Sequence, residues 1–103
     1  MNPGSYVVIF VSKRTDSDPE GYESMAQRMV DLASAQPGFL GMETARGSDG
    51  MGVTVCYWKS EDAIAAWKRD VDHAAAQTSG RQAWYSLYKV TIARVERSYE
   101  HQP

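Results

Sequence analysis

Hydrophobic and polar positions follow two rhythms along this chain. From Tyr6 to Val11 every residue is β-branched or aromatic, which predicts a strand buried on both faces rather than an amphipathic helix. The polar stretch from Lys13 to Asp18 then leads into Asp18-Pro19, where a capping carboxylate and a proline at the first helical position start a helix. Tyr22, Met25, Ala26, Met29, Leu32 and Ala33 recur at three- and four-residue spacing, with Glu23, Gln27, Arg28 and Asp31 on the opposite side. Gln36-Pro37-Gly38 ends this helix, because proline disfavours helical geometry before it and glycine tolerates the tight exit.

Two extended runs follow, Phe39 to Arg46 and Gly52 to Trp58, joined by Gly47-Ser48-Asp49-Gly50. The Asp-Gly pair suits a hairpin turn, so these strands are expected to be adjacent and antiparallel. Ser60-Glu61-Asp62 caps a second helix, with Ile64, Trp67, Val71 and Ala74 as its apolar stripe. Asp70-Val71-Asp72-His73 and Ser79-Gly80 predict a break in its second half, and a short helical turn is expected around Arg81 to Tyr85. The last strand runs from Leu87 to Val95, with Tyr88, Val90 and Ile92 alternating against Lys89, Thr91 and Ala93.

Strand, helix, strand, strand, helix, strand is an α+β order, the split βαβ arrangement. With right-handed crossovers it gives a ferredoxin-like four-stranded antiparallel sheet with both helices on one face. The first and third strands are apolar on both sides, so the face without helices needs a cover. A second copy of the chain is the simplest one, and a homodimer is expected.

Composition narrows the partners. A chain of 103 residues and 11.5 kDa supports one domain over residues 1–103, with its core within about 5–99. Eleven Lys and Arg against thirteen Asp and Glu leave a net charge of -2, which gives no general attraction to nucleic acid or to an anionic membrane surface. Met51-Gly52-Val53-Thr54 stands where RNA-binding domains of this fold carry basic and aromatic residues, so nucleic-acid binding is set aside. Cys56 has no disulfide partner, and a start of Met1-Asn2-Pro3-Gly4-Ser5 lacks the basic opening of a signal peptide, so a cytoplasmic location is expected. Two histidines, one near the C-terminal end, make a protein-only metal site improbable, and there is no glycine-rich phosphate loop.

The run Gln36-Pro37-Gly38-Phe39-Leu40-Gly41, the strand Gly52 to Trp58, the capped helix Ser60 to Lys68 containing Trp67, then His73, Trp84-Tyr85 and Arg94 to Arg97 together resemble the antibiotic biosynthesis monooxygenase family. That resemblance implies a dimeric α+β barrel, with a pocket between sheet and helices in each subunit. It also implies oxidation of a phenol or quinol by O2 without metal or flavin. A related branch binds and degrades haem, which makes haem an alternative ligand. The sequence has Ala63 where the polyphenol oxidisers place an Asn, His73 where they can carry a Tyr, and no Asn on its first strand. A non-enzymatic small-molecule-binding dimer is a further alternative.

Cofactor-free oxygen chemistry needs a substrate that ionises, a base, and a dry aromatic pocket. His73 is the candidate base, because histidine is the side chain that titrates near neutrality. A continuous helix puts it about a third of a turn from Trp67, so only a kink after Val71 brings it into the pocket; otherwise it is an exposed partner of Asp70. Trp67 is the candidate catalytic wall, or else core, and its indole N–H needs a partner if buried. Tyr57 and Trp58 point to opposite faces, and Tyr57 is taken as the pocket residue. Arg81 is a candidate for pairing with an anionic substrate, and Trp84 for contacting it.

Overall fold

A computed structural model describes residues 2–76 and 84–102. The elements are β1 (Tyr6–Arg14), α1 (Pro19–Ala35), β2 (Phe39–Arg46), β3 (Met51–Trp58), α2 (Glu61–Ala76) and β4 (Tyr85–Arg94). The sheet is antiparallel in the order β2-β3-β1-β4. This is the ferredoxin-like arrangement that the element order predicts.

Three local departures have physical causes. β1 continues past Val11 because Ser12 and Lys13 pair with Gly52 and Met51, and Lys13 and Arg14 with Leu87 and Tyr85. The ladder, not the apolar run, sets its length. α2 runs unbroken through Asp70-Val71-Asp72-His73, against the kink expected there, and Ser79-Gly80 lies outside the described residues. Lys68 Nζ reaches Asp72 Oδ2 at 2.7 Å one turn on, Asp70 accepts a hydrogen bond from Gln36 Nε2 at the C-terminal cap of α1, and Ala74 is buried, so the apolar stripe holds its phase. The expected helical turn at Arg81 lies mostly outside the described residues, and Tyr85 already belongs to β4.

The α1 start depends on Asp18, which adopts a left-handed conformation with φ 47° and accepts a hydrogen bond from Gly21 N at 3.2 Å. Its other carboxylate oxygen accepts from Trp84 Nε1 at 3.2 Å. One side chain therefore fixes the beginning of α1 against the beginning of β4. The α1 exit rests on Gly38, whose φ of +91° suits glycine, and a Cβ there would stand 2.9 Å from the Ala63 methyl. Gly38 O also accepts from Lys59 N at 2.8 Å, which brings the end of α1 close to the start of α2.

Cross-strand pairing sorts the sheet into rows. Facing the helices are Phe39, Trp58, Tyr6 and Arg94; then Met42, Cys56, Val8 and Ile92; then Thr44, Thr54, Phe10 and Val90; then Arg46, Gly52, Ser12 and Tyr88. The opposite face carries Val7, Ile9, Val11, Val53, Val55 and Tyr57. The helices lie against only part of the sheet, α1 on β2 and α2 on β3. Where helices and sheet meet, Val8, Ala33, Cys56, Trp58, Ile64 and Trp67 form the main core, and Met25, Ala74 and Trp84 a second cluster. Burial pushes the Cys56 thiol up to about 11, so it is a small apolar filler, not a nucleophile.

Candidate functional site

Where the helices stop, the sheet's inner face is open. Tyr88, Val90 and Ile92 of β4 are 62%, 52% and 50% exposed although they share the helix-facing side with buried Val8. Alongside them four rings make a continuous cluster. Phe10 lies 5.5 Å from Tyr85 and 5.8 Å from Tyr88, and Tyr22 of α1 lies 5.9 Å from Tyr85, the Phe10–Tyr85 and Tyr22–Tyr85 pairs meeting edge to face. The rings and the exposed β4 side chains together form one open aromatic and apolar surface, the trough on the inner face of the sheet.

Two arginines close one end. The Arg14 guanidinium stacks over the Tyr22 ring at 3.8 Å, and Arg46 stands 5.9 Å from the same ring. Arg14 Nη1 donates to Trp84 O at 2.8 Å, which fixes its direction. Desolvation, then the charge and hydrogen bond of Tyr22, push the Tyr85 hydroxyl up to about 12, while Arg46 and Arg14 pull the other way. Tyr85 therefore stays protonated at neutral pH, and among the described residues the positive charges that act on it are the two guanidiniums.

The residues singled out from sequence divide between this trough and other places. Trp84 is buried at its margin, edge to face with Tyr22 at 6.2 Å, its N–H committed to Asp18; it holds the trough's walls and does not line it. Trp67 is core. Its Nε1 donates to Met29 O at 3.3 Å and its ring lies 5.2 Å from Trp58. Tyr57 is on the opposite face of the sheet, its hydroxyl donating to Glu43 Oε2 at 3.4 Å and pushed up by desolvation and by that carboxylate. The helix-facing member of the pair is Trp58, fully buried. Arg81 lies outside the described residues.

His73 needs the clearest correction. It is exposed on an unbroken α2, since six residues of regular helix rotate it away from the Trp67 stripe and nothing bends the helix back. His73→Ala is expected to leave turnover within about twofold, in contrast to the hundredfold or greater loss that removal of a general base gives. Steady-state rates of the two proteins on one active substrate decide it.

Sequence reasoning missed Phe10, Arg14, Tyr22, Arg46 and Tyr85. A usable signal was present in Ser12 and Gly52, two small polar-strand residues opposite one another and beside Arg46. A separate open groove of about 600 Å³ lies between β2 and the C-terminal segment, lined by Leu40, Glu43, Tyr57 and His101 among others. It involves the other sheet face and contains none of the ring cluster.

Haem fits this trough poorly. Neither His73, exposed on α2, nor His101, in that other groove, is in the ring cluster to serve as an axial ligand. Among the described residues no group of three His, Cys, Asp or Glu side chains is placed to hold a metal ion, and no helix is long and apolar enough to cross a membrane.

Comparison with known proteins places this geometry. The uncharacterised protein YqjZ of Bacillus subtilis (strain 168) is 50% identical over 95 residues, covering 92% of this chain and 82% of that one. A variant of SnoaB, a cofactor-independent oxygenase from Streptomyces nogalater, superposes with a TM-score of 0.75 at 17% identity, covering 95% of this chain and 99% of that one. A MhuD variant with two manganese protoporphyrin IX molecules per active site gives a TM-score of 0.67 at 20% identity, over 93% and 99%. At these identities the two structures share the fold, and the family follows from the sequence profile, which matches residues 5–79. The chain belongs to the antibiotic biosynthesis monooxygenase family.

Proposed function

We propose that this protein oxidises a small phenol or quinol with O2, using no metal or organic cofactor, in the trough of Phe10, Tyr22, Tyr85 and Tyr88. The observation that carries this reading is the ring cluster itself, an aromatic slot open to solvent on one side and ending at two guanidiniums. The SnoaB similarity supports it. A flat aromatic substrate stacks there with its ring against Phe10 and Tyr88.

The chemistry then belongs to the substrate. An ionised phenol gives one electron to O2, and the resulting phenoxyl radical and superoxide combine at an ortho or para ring carbon that carries hydrogen. Loss of water from the hydroperoxide leaves a quinone. One phenol and one O2 thus give one quinone and one water, the substrate supplying all the electrons. The protein's contribution is to favour the ionised substrate and to hold its ring against the aromatic side chains.

A second copy covers the outer sheet face. Val7, Ile9, Val11, Val53, Val55 and Tyr57 form a continuous apolar surface there, with Val53 and Met51 each 37% exposed. Face-to-face packing buries it and leaves the trough, on the other side, accessible.

Oxygen-electrode assays with a panel of monohydroxy- and dihydroxyaromatics, after exhaustive chelation, test the activity. Uptake with at least one of them is expected, with a raised KM in Tyr88→Ala. No uptake across the panel would leave a small-molecule-binding dimer, and activity restored only by added metal would overturn the cofactor-free reading.

A further inference from the structure

The last row of the inner sheet face has an unusual construction. Arg46 of β2 lies across β3 toward β1, over a position that has no side chain: a Cβ on Gly52 would stand 2.6 Å from the Arg46 Cζ. At the far end Ser12, fully buried, accepts from Arg46 Nη2 at 2.8 Å through its hydroxyl and from Nη1 at 3.3 Å through its carbonyl. Gly50 O accepts from Nη1 as well. Gly52 and Ser12 thus make a slot that carries a guanidinium across two strands to the ring cluster. Arg14 arrives from the other side, held by the Trp84 carbonyl and the Tyr22 face.

Both guanidiniums lie against the Tyr22 ring, Arg14 at 3.8 Å and Arg46 at 5.9 Å, so an anion held at that ring is attracted by both charges. Among the described residues no carboxylate pairs with either guanidinium. Asp18 is committed to Gly21 N and Trp84 Nε1, and Asp49 to Met51 N in the hairpin turn. Among the described residues, the ionisable groups that act on one another here besides the two arginines are the phenols of Tyr22 and Tyr85.

We propose that Arg14 and Arg46 form an anion site at the end of the trough, with Gly52 and Ser12 as positioning residues, and that the protein binds its aromatic ligand there as the phenolate. This rests on reading the trough as the aromatic-binding site. Charge-assisted hydrogen bonds from a planar guanidinium to an ionised oxygen are about twice as strong as neutral ones. The same contact stabilises the form of the substrate that reacts with O2.

A nitrophenol that titrates near neutrality tests this by absorbance, without turnover. Bound to the native protein, its apparent pKa is expected to fall by about one unit, a tenfold preference for the anion. Arg46→Gln and Arg14→Gln should each remove at least half of the shift. Gly52→Ala should do the same with every charge retained, because it displaces Arg46 from the slot. Arg46→Lys, which keeps the charge, should retain part of the shift and so guards against loss through misfolding. Lys68→Ala, on the exposed side of α2, should retain all of it. A bound probe that titrates as in free solution, or a native shift in both Arg46→Gln and Gly52→Ala, overturns the anion site. Oxygen uptake without a probe shift removes this site and leaves the oxidation reading standing, whereas a shift without uptake on any phenol does the reverse.

Discussion

Trp58→Ala is expected to lower stability by about 3–5 kcal/mol, enough to unfold much of a domain this size at moderate temperature. The indole is fully buried beneath both helices, edge to face with Phe39 at 5.4 Å and tilted against Trp67 at 5.2 Å. Among the described residues Trp58 Nε1 is also buried without a hydrogen-bond partner, a defect that costs about 1–3 kcal/mol where it stands. Trp58→Phe removes that defect while keeping most of the ring, so the two terms offset and a net change within about 1 kcal/mol is expected. Denaturant midpoints for the three proteins separate the terms. A Phe variant as unstable as the Ala variant would mean that the indole N–H has a partner after all.

The second large effect concerns assembly. Ile9 and Val55 pair across β1 and β3 in the middle of the outer face, so Val55→Asp puts a carboxylate at the centre of the proposed interface. A symmetric contact receives the change twice. A dimer with a dissociation constant near 1 μM is held by about 8 kcal/mol, and each buried unpaired carboxylate removes several kcal/mol of that. Light scattering should therefore fall from about twice 11.5 kDa for the native protein to the single-chain mass for the variant. A native protein that is monomeric at micromolar concentration would contradict the interface, and another cover for Val53, Val55 and Tyr57 would be needed.

The fold was legible because its signals are local. The β-branched run of β1, the Asp18-Pro19 start, the Pro37-Gly38 exit and the Asp49-Gly50 turn each act over a few residues, and together they order the elements. The site was less legible because its parts are distant in sequence. Arg14, Tyr22, Arg46 and Tyr85 come from four different elements and meet only when β1 lies between β3 and β4. Ending β1 at its last apolar residue hid Ser12 and Arg14, whose strand geometry comes from pairing. His73 was misplaced for the opposite reason. A polar local segment suggested a kink, but the Lys68–Asp72 pair and the burial of Ala74 keep α2 regular. Alternation put Tyr57 and Trp58 on opposite faces and could not say which face held the helices.

Isotope labelling of the oxidation is the most direct test of the proposed chemistry. With a phenolic substrate that supports uptake, turnover under 18O2 in the absence of added metal or flavin should place one labelled atom in the quinone and the other in water. The rate should be the same after exhaustive chelation. Product that carries no label, its new oxygen drawn from solvent water before any exchange, would contradict a monooxygenase in this trough.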